Sequence, residues 1–170
     1  IFNNEFQELA KHPEVDLFPK ELKKEIDEHN DWIYHNINNG VYKCGFAKSQ
    51  EAYEESFYKL FDSLDKVEGI LADKKYILGD KLTITDIRLF VTLIRFDEVY
   101  YVYFKTNKKR MVDYPNIMRY IKDLYSMEEI KSTINMTHIK NHYYTAHPSL
   151  NPYAVVPVGG DFLSILENNK

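Results

Sequence analysis

The sequence predicts an all-α chain, and three observations carry that reading. Apolar residues recur at three- and four-residue spacing over most of the length. A Thr-x-x-Asp start signal introduces a long apolar segment at Leu82. The run Ala154-Val155-Val156 is too short and too flanked by proline to argue a sheet.

In chain order, Pro19-Lys20-Glu21-Leu22 opens a helix, with proline tolerated in the first turn. Leu22, Ile26, Ile33 and Ile37 continue it to Asn38-Asn39-Gly40, which reads as a stop. Ser49 is the expected N-cap of a second helix carrying Tyr53, Phe57, Leu60, Phe61, Leu64, Val67 and Leu71. In Leu82-Thr83-Ile84-Thr85-Asp86-Ile87, Thr83 and Asp86 form a capping box, while Leu82 and Ile87 stand where a hydrophobic staple closes. The segment that follows, to about Phe104, is apolar nearly all round and is expected to be the buried core helix. Tyr114-Pro115 starts another helix with Ile117, Met118, Ile121 and Leu124 inward, and shorter helices are expected over Met127–Ile134 and Thr137–Thr145. Pro148, Pro152, Pro157 and Gly159-Gly160 then break the pattern. Residues 1–170 are thus read as one helical domain with a loop-rich tail over 146–170.

Composition excludes several classes. The net charge of −4 does not attract polyanions, so no nucleic-acid partner is expected. The basic run Lys105–Arg110 reads as a solvated helix end complementing the helix dipole. No apolar stretch reaches the ~18 residues of a membrane span, so no membrane partner is expected. Cys44 is the single cysteine, which removes disulfides and thiolate metal sites and suits a reducing, cytoplasmic setting. The chain starts at Ile1 rather than Met, so an upstream segment is expected and targeting is unread. Aromatic residues reach 15%, with fourteen Tyr and ten Phe, which suggests aromatic-lined packing or a cleft.

Several constellations carry two readings. His138 and His142 stand one turn apart with His147 beyond, but no Cys, Asp or Glu lies among them, so no metal is expected. Arg88, Thr92 and Arg95 form a polar stripe on the apolar helix. Pairing with Asp97, Glu98 or a carboxylate from another helix is the preferred structural reading, with ligand contact as the other. Aromatics cluster at Trp32-Ile33-Tyr34, at Val41-Tyr42 and at Tyr143-Tyr144, where core packing is preferred over a planar ligand. Lys43 is placed to lower the pKa of Cys44, but nothing else argues for catalysis there. No nucleophile–base pair, glycine-rich phosphate loop or Cys-x-x-Cys is present, so spacing alone discloses no activity.

The segment Leu82–Ile87 followed by a buried helix is similar to the hallmark of the glutathione transferase C-terminal domain. Three further stretches sharpen the resemblance: Trp32-Ile33 through Asn38-Asn39-Gly40-Val41-Tyr42-Lys43-Cys44-Gly45-Phe46-Ala47; Ile94-Arg95-Phe96-Asp97-Glu98-Val99-Tyr100 with Phe104-Lys105-Thr106-Asn107; and His138-Ile139-Lys140-Asn141-His142-Tyr143-Tyr144 with His147, Asn151-Pro152 and Val156-Pro157. In this order they resemble the glutathionyl-hydroquinone reductases, the xi class of glutathione transferases, which are omega-like. Thr106 departs from an expected Cys, and Gly160 stands where Gly-Pro is usual.

The resemblance implies a glutathione-transferase C-terminal-like helical bundle with an irregular tail. It implies a reductase that removes glutathione from a glutathionyl-hydroquinone, with glutathione as co-substrate and an aromatic glutathione conjugate as partner. A thioredoxin-like N-terminal domain, not contained in this chain, would hold glutathione and supply a Cys-Pro-Trp type nucleophile, so no catalytic residue is expected here and the chain alone is expected to be inactive. Tyr42, with Tyr143, Tyr144 or both, would direct hydroxyls at the substrate, whereas Thr83, Asp86 and Arg95 are structural. A homodimer is also implied. The alternatives are an omega-like transferase or dehydroascorbate reductase domain, or a non-catalytic interaction module.

Overall fold

The computed structural model describes residues 7–168, which form a bundle of helices. A 3-10 turn over Lys20–Leu22 leads into α1 (Lys23–Ile33), which buries Ile26, Asn30 and Ile33. The expected stop at Asn38-Asn39-Gly40 does not end the helical path. The chain widens into a π turn (Tyr34–Asn38), where the Asn39 N–H donates to the Tyr34 carbonyl at 2.9 Å, and continues as α2 (Gly40–Gly45). The reason is tertiary. Asparagine ends helices by bonding its own backbone, but the Asn38 amide instead donates to the Arg88 carbonyl (2.9 Å) and to Thr92 Oγ1 (2.7 Å).

The long helix α3 (Gln50–Asp73) starts at Ser49, whose hydroxyl accepts from the Ala52 N–H at 3.2 Å. Its inner face, Leu60, Phe61, Leu64, Val67 and Leu71, is fully buried. It packs against α2 on one side and α6 (Pro115–Tyr125) on the other.

The central helix α4 (Ile84–Arg95) begins at the capping box. The Thr83 N–H and hydroxyl both donate to Asp86 Oδ2, at 2.8 and 2.9 Å. The other carboxylate oxygen accepts from the Ile77 N–H (2.9 Å) and the Tyr120 hydroxyl (3.1 Å). One buried side chain therefore fixes the helix start, the 76–79 turn and α6 together. Burial raises the pKa of Asp86 despite these donors.

Beyond Arg95 the helix passes through a second π turn (Phe96–Tyr100) and ends as α5 (Tyr101–Tyr103). Leu89, Phe90, Leu93, Ile94, Phe96 and Val99 are buried as expected, but Val91 and Val102 are 44% and 56% exposed. The helix is thus not covered all round, and Val91 lines the cleft described below.

Lys105, at φ 60°, ends α5 in the left-handed region. The basic run then serves α3 rather than the helix dipole. Lys108 and Lys109 reach Asp65 at 3.8 and 3.1 Å, and Arg110 pairs with Asp113 at 3.2 Å. Aspartate 97 accepts the N–H groups of Met111 (2.6 Å) and Val112 (3.4 Å), anchoring the strand of loop that follows.

A short α7 (Glu128–Lys131) precedes α8 (Met136–Ala146), capped by Asn135, whose side chain accepts from His138 N–H at 3.0 Å. The tail is irregular over 147–161, as its prolines require, but it also contains a helix, α9 (Phe162–Glu167), with Phe162 and Leu166 buried. Glu98 holds it in place. One carboxylate oxygen accepts the Phe162 N–H at 2.8 Å, the other meets Lys140 Nζ at 3.2 Å, and Lys140 donates to the Gly159 carbonyl at 2.8 Å. Gly160 sits between them at φ 91°, where a Cβ would overlap the Glu98 carboxylate. Among the described residues no helix is long and apolar enough to cross a membrane.

Candidate functional site

Three tyrosine hydroxyls converge at one wall of a cleft, each delivered by a different element. Tyr42 projects from the middle of α2, Tyr100 from the last position of the second π turn, and Tyr143 from α8. The Tyr143 hydroxyl is central, 2.5 Å from Tyr42 Oη and 2.7 Å from Tyr100 Oη. The rings hold one another: Tyr100 meets Tyr143 edge-on at 5.5 Å and stacks on Phe104 at 5.5 Å, while Tyr42 leans on Phe104 at 5.3 Å. Gly45 admits this arrangement, because a Cβ there would overlap the Phe104 ring.

Burial pushes the Tyr143 hydroxyl up to about 12 and the Tyr100 hydroxyl further. Both are neutral at pH 7 and able to donate as well as accept. The chain has a gradient of access, since Tyr100 is buried while Tyr42 is 36% exposed.

Of the two adjacent tyrosines on α8, one reaches this wall. Neighbouring helical residues point about 100° apart. Tyr143 joins the triad, whereas the Tyr144 hydroxyl donates to the Glu98 carbonyl at 3.2 Å and packs by Tyr103. Tyr144 is thus placed as a packing residue beside the Glu98 anchor.

The cleft has a volume of about 390 Å³ and is also lined by Arg88, Thr92 and Arg95 of α4. The expected carboxylate partners of this stripe are engaged elsewhere: Asp97 by the 111–112 backbone, Glu98 by Lys140 and the tail. Among the described residues neither arginine makes an ion pair. Arg95 donates to the Val91 carbonyl, and the Arg88 guanidinium lies 5.7 Å from the Tyr34 ring centre.

Cys44 is fully buried on the inner side of α2, and burial raises its thiol to about 12. Lys43, which its sequence position suggested as an activator, donates instead to the His35 carbonyl at 2.9 Å. His147 contacts the Tyr143 carbonyl at 3.1 Å and lies edge-on to Phe46. Among the described residues no group of His, Cys, Asp and Glu side chains is placed to hold a metal.

Sequence reasoning named Tyr42, Tyr143 and Tyr144 but not Tyr100 or Asn38. Tyr100 sits in an aromatic run, Val99 to Tyr103, where no local signal separates a lining ring from a packing one. In the sequence Asn38 has the local signature of a helix breaker, and its bonds to residues 88 and 92 leave no local sign.

A helical domain of this order, with an N-capped central helix and a phenol-lined cleft, belongs to a known class. Residues 50–123 match the family model for the glutathione S-transferase C-terminal domain. The chain is 50% identical over 159 residues to glutathionyl-hydroquinone reductase PcpF of Sphingobium chlorophenolicum, covering 94% of this chain and 50% of that protein. It superposes on the glutathione-bound structure of YqjG, a glutathione transferase homologue from Escherichia coli K-12, with a TM-score of 0.89 at 46% identity, covering 94% of this chain and 52% of that one. Glutathione transferase Xi 1 from Trametes versicolor matches with a TM-score of 0.90 at 49% identity, covering 94% of this chain and 56% of that one. Over nearly its whole length the chain is similar to the helical C-terminal half of glutathione transferases, xi-class members among them. It spans about half the length of the curated relatives it matches.

Proposed function

We propose that this domain forms the aromatic substrate wall of a glutathione-dependent reductase that releases hydroquinones from their glutathionyl conjugates. The observation that carries the reading is the Tyr42–Tyr143–Tyr100 hydroxyl chain opening on a cleft. It is supported by the similarity to a reductase of that name.

In this reading a cysteine thiolate from a thioredoxin-like, glutathione-binding domain attacks the conjugate's sulfur. The carbon–sulfur bond to the ring breaks and its electron pair stays with the ring, which takes up a proton and leaves as free hydroquinone. The cysteine is left as a mixed disulfide with glutathione, which a second glutathione thiolate resolves to oxidised glutathione. Tyr42 and Tyr143 donate to the ring oxygens where charge builds up. A neutral phenol is suited to this role because it donates without itself carrying charge. Cys44 takes no part, being buried and protonated at neutral pH.

Glutathione-dependent release of hydroquinone from S-glutathionyl hydroquinone by the native protein is the expected result. Turnover of dehydroascorbate with none of the conjugate would favour the omega-like alternative instead, and absence of both would favour an interaction module. We infer further that the chain assembles as a homodimer in the cytoplasm. The dimer reading is supported by an apolar groove along Ile87, Phe90, Ile94, Ile130 and Ile139. Light scattering at a monomer mass at micromolar concentration would overturn it.

A further inference from the structure

The cleft that the tyrosines line also carries two permanent positive charges that, among the described residues, make no ion pair. Arg88 and Arg95 stand two helical turns apart on α4, with Thr92 between them, and all three line the same cleft as Tyr42 and Tyr143. Guanidinium groups stay protonated at any physiological pH and present a fork of donors matched to a carboxylate. The carboxylates next to Arg95 in the chain are engaged by the fold, Asp97 by backbone N–H groups and Glu98 by Lys140 and Phe162. The Thr92 hydroxyl already accepts from Asn38, so it supports the wall without neutralising it. Burial raises the Tyr143 pKa, its bond to Tyr100 lowers it, Tyr42 raises it, and the positive charge of Arg95 contributes a smaller lowering.

We propose that Arg88 and Arg95 form a carboxylate-binding subsite of this cleft, which holds a carboxylate of the glutathionyl-hydroquinone substrate. The assignment rests on the reductase reading for its substrate, but the subsite itself is a property of the cleft. The tyrosines take the ring oxygens and the arginines take the anion. The carboxylate has two sources, a substituent on the ring or the glutathionyl arm of the conjugate, and the shared chemistry is the same.

The test uses the native protein, parent and Arg88→Met/Arg95→Met, with S-glutathionyl hydroquinone and S-glutathionyl-2,5-dihydroxybenzoate. A loss of about 10–100-fold in kcat/KM confined to the second conjugate assigns the subsite to the ring carboxylate. An equal loss on both, abolished when the glutathionyl carboxylates are esterified, assigns it to the glutathionyl arm. Unchanged kinetics on both conjugates overturn the proposal. Titration calorimetry with free 2,5-dihydroxybenzoate and with S-methylglutathione keeps the question separate from catalysis. If the parent turns over neither conjugate, the reductase reading fails, and the subsite is still decided by whether either ligand binds about 10-fold more weakly to the variant and to the parent at high salt. Binding of both ligands that is indifferent to the arginines and to salt sinks the subsite. Should the double variant melt far below the parent, Arg95→Gln alone, at a half-buried position, serves in its place.

Discussion

The hydroxyls of Tyr42 and Tyr143 lie 2.5 Å apart although 101 residues separate them in the chain. Both rings pack against Tyr100, with ring centres 6.0 and 5.5 Å away. Tyr42→Phe and Tyr143→Phe in the native protein are expected to lower kcat/KM by about 10–1000-fold on a glutathionyl-hydroquinone. Tyr143→Phe also strands the buried Tyr100 hydroxyl and is expected to lower stability by about 1 kcal/mol. Tyr144→Phe gives the reverse pattern, near-parental turnover and about 1 kcal/mol of lost stability, because its partner is the Glu98 carbonyl. Steady-state kinetics with thermal melts on the three variants check this, and parental turnover in both Tyr42→Phe and Tyr143→Phe would reject the site.

Asp86→Ala is expected to destabilise by about 3 kcal/mol or more. A capping-box residue alone contributes about 1–2 kcal/mol. Here the substitution also strands the buried Ile77 N–H, with its own desolvation penalty, while the Tyr120 hydroxyl keeps the backbone carbonyl of residue 86 at 3.2 Å. Urea midpoints for parent and variant measure it, and a loss under 1 kcal/mol would mean the Ile77 N–H finds water.

Asp97 makes stability depend on pH. Burial raises its pKa from 3.8 to about 6, outweighing the N–H groups of Met111 and Val112 that favour the carboxylate. For a carboxyl raised on folding, the folded state binds the proton more tightly than the unfolded chain. The stabilisation is therefore complete below pH 3.8 and is lost as pH rises through 6. Asp97→Asn cannot titrate, so the stability of the parent relative to this variant should fall by about 2 kcal/mol from pH 4 to pH 7. A constant difference across that range would place Asp97 in a more solvated setting.

Gly160→Ala is expected to detach the tail. The left-handed backbone disfavours a side chain, and the Cβ would overlap the Glu98 carboxylate. Together these should lower stability by at least about 2 kcal/mol, with faster amide exchange at Phe162–Glu167 as the local signature. Parental exchange rates in α9 would show that the Glu98 contacts do not hold the tail.

Cys44 should react with iodoacetamide at pH 8 only after unfolding, because a thiol near 12 is protonated there and the side chain is buried. Mass spectrometry of native and urea-treated protein checks it. Rapid native labelling would contradict both its burial and its exclusion from the chemistry.

Some of this protein is written in short-range pattern and some is not. The helices of α3, α4 and α6 are legible because capping residues and apolar spacing act within a few positions: Ser49 needs only Ala52, and Thr83 needs only Asp86. The approximate places of Tyr42 and Tyr143 came from family resemblance, which stores long-range information that spacing does not. What the sequence could not express is any choice made by a distant partner. Asn38 reads as a stop, yet its amide bonds to Arg88 and Thr92 and the helical path continues through a π turn. Lys108 and Lys109 read as a dipole complement, yet Asp65 on α3 takes them. Which of Tyr143 and Tyr144 meets the cleft, and that Tyr100 joins it, follow from the rotation of α8 against the Phe96–Tyr100 turn, because one residue along a helix turns a side chain by about 100°. Local chemistry set where each helix starts; packing between helices set which hydroxyls and charges share a cleft.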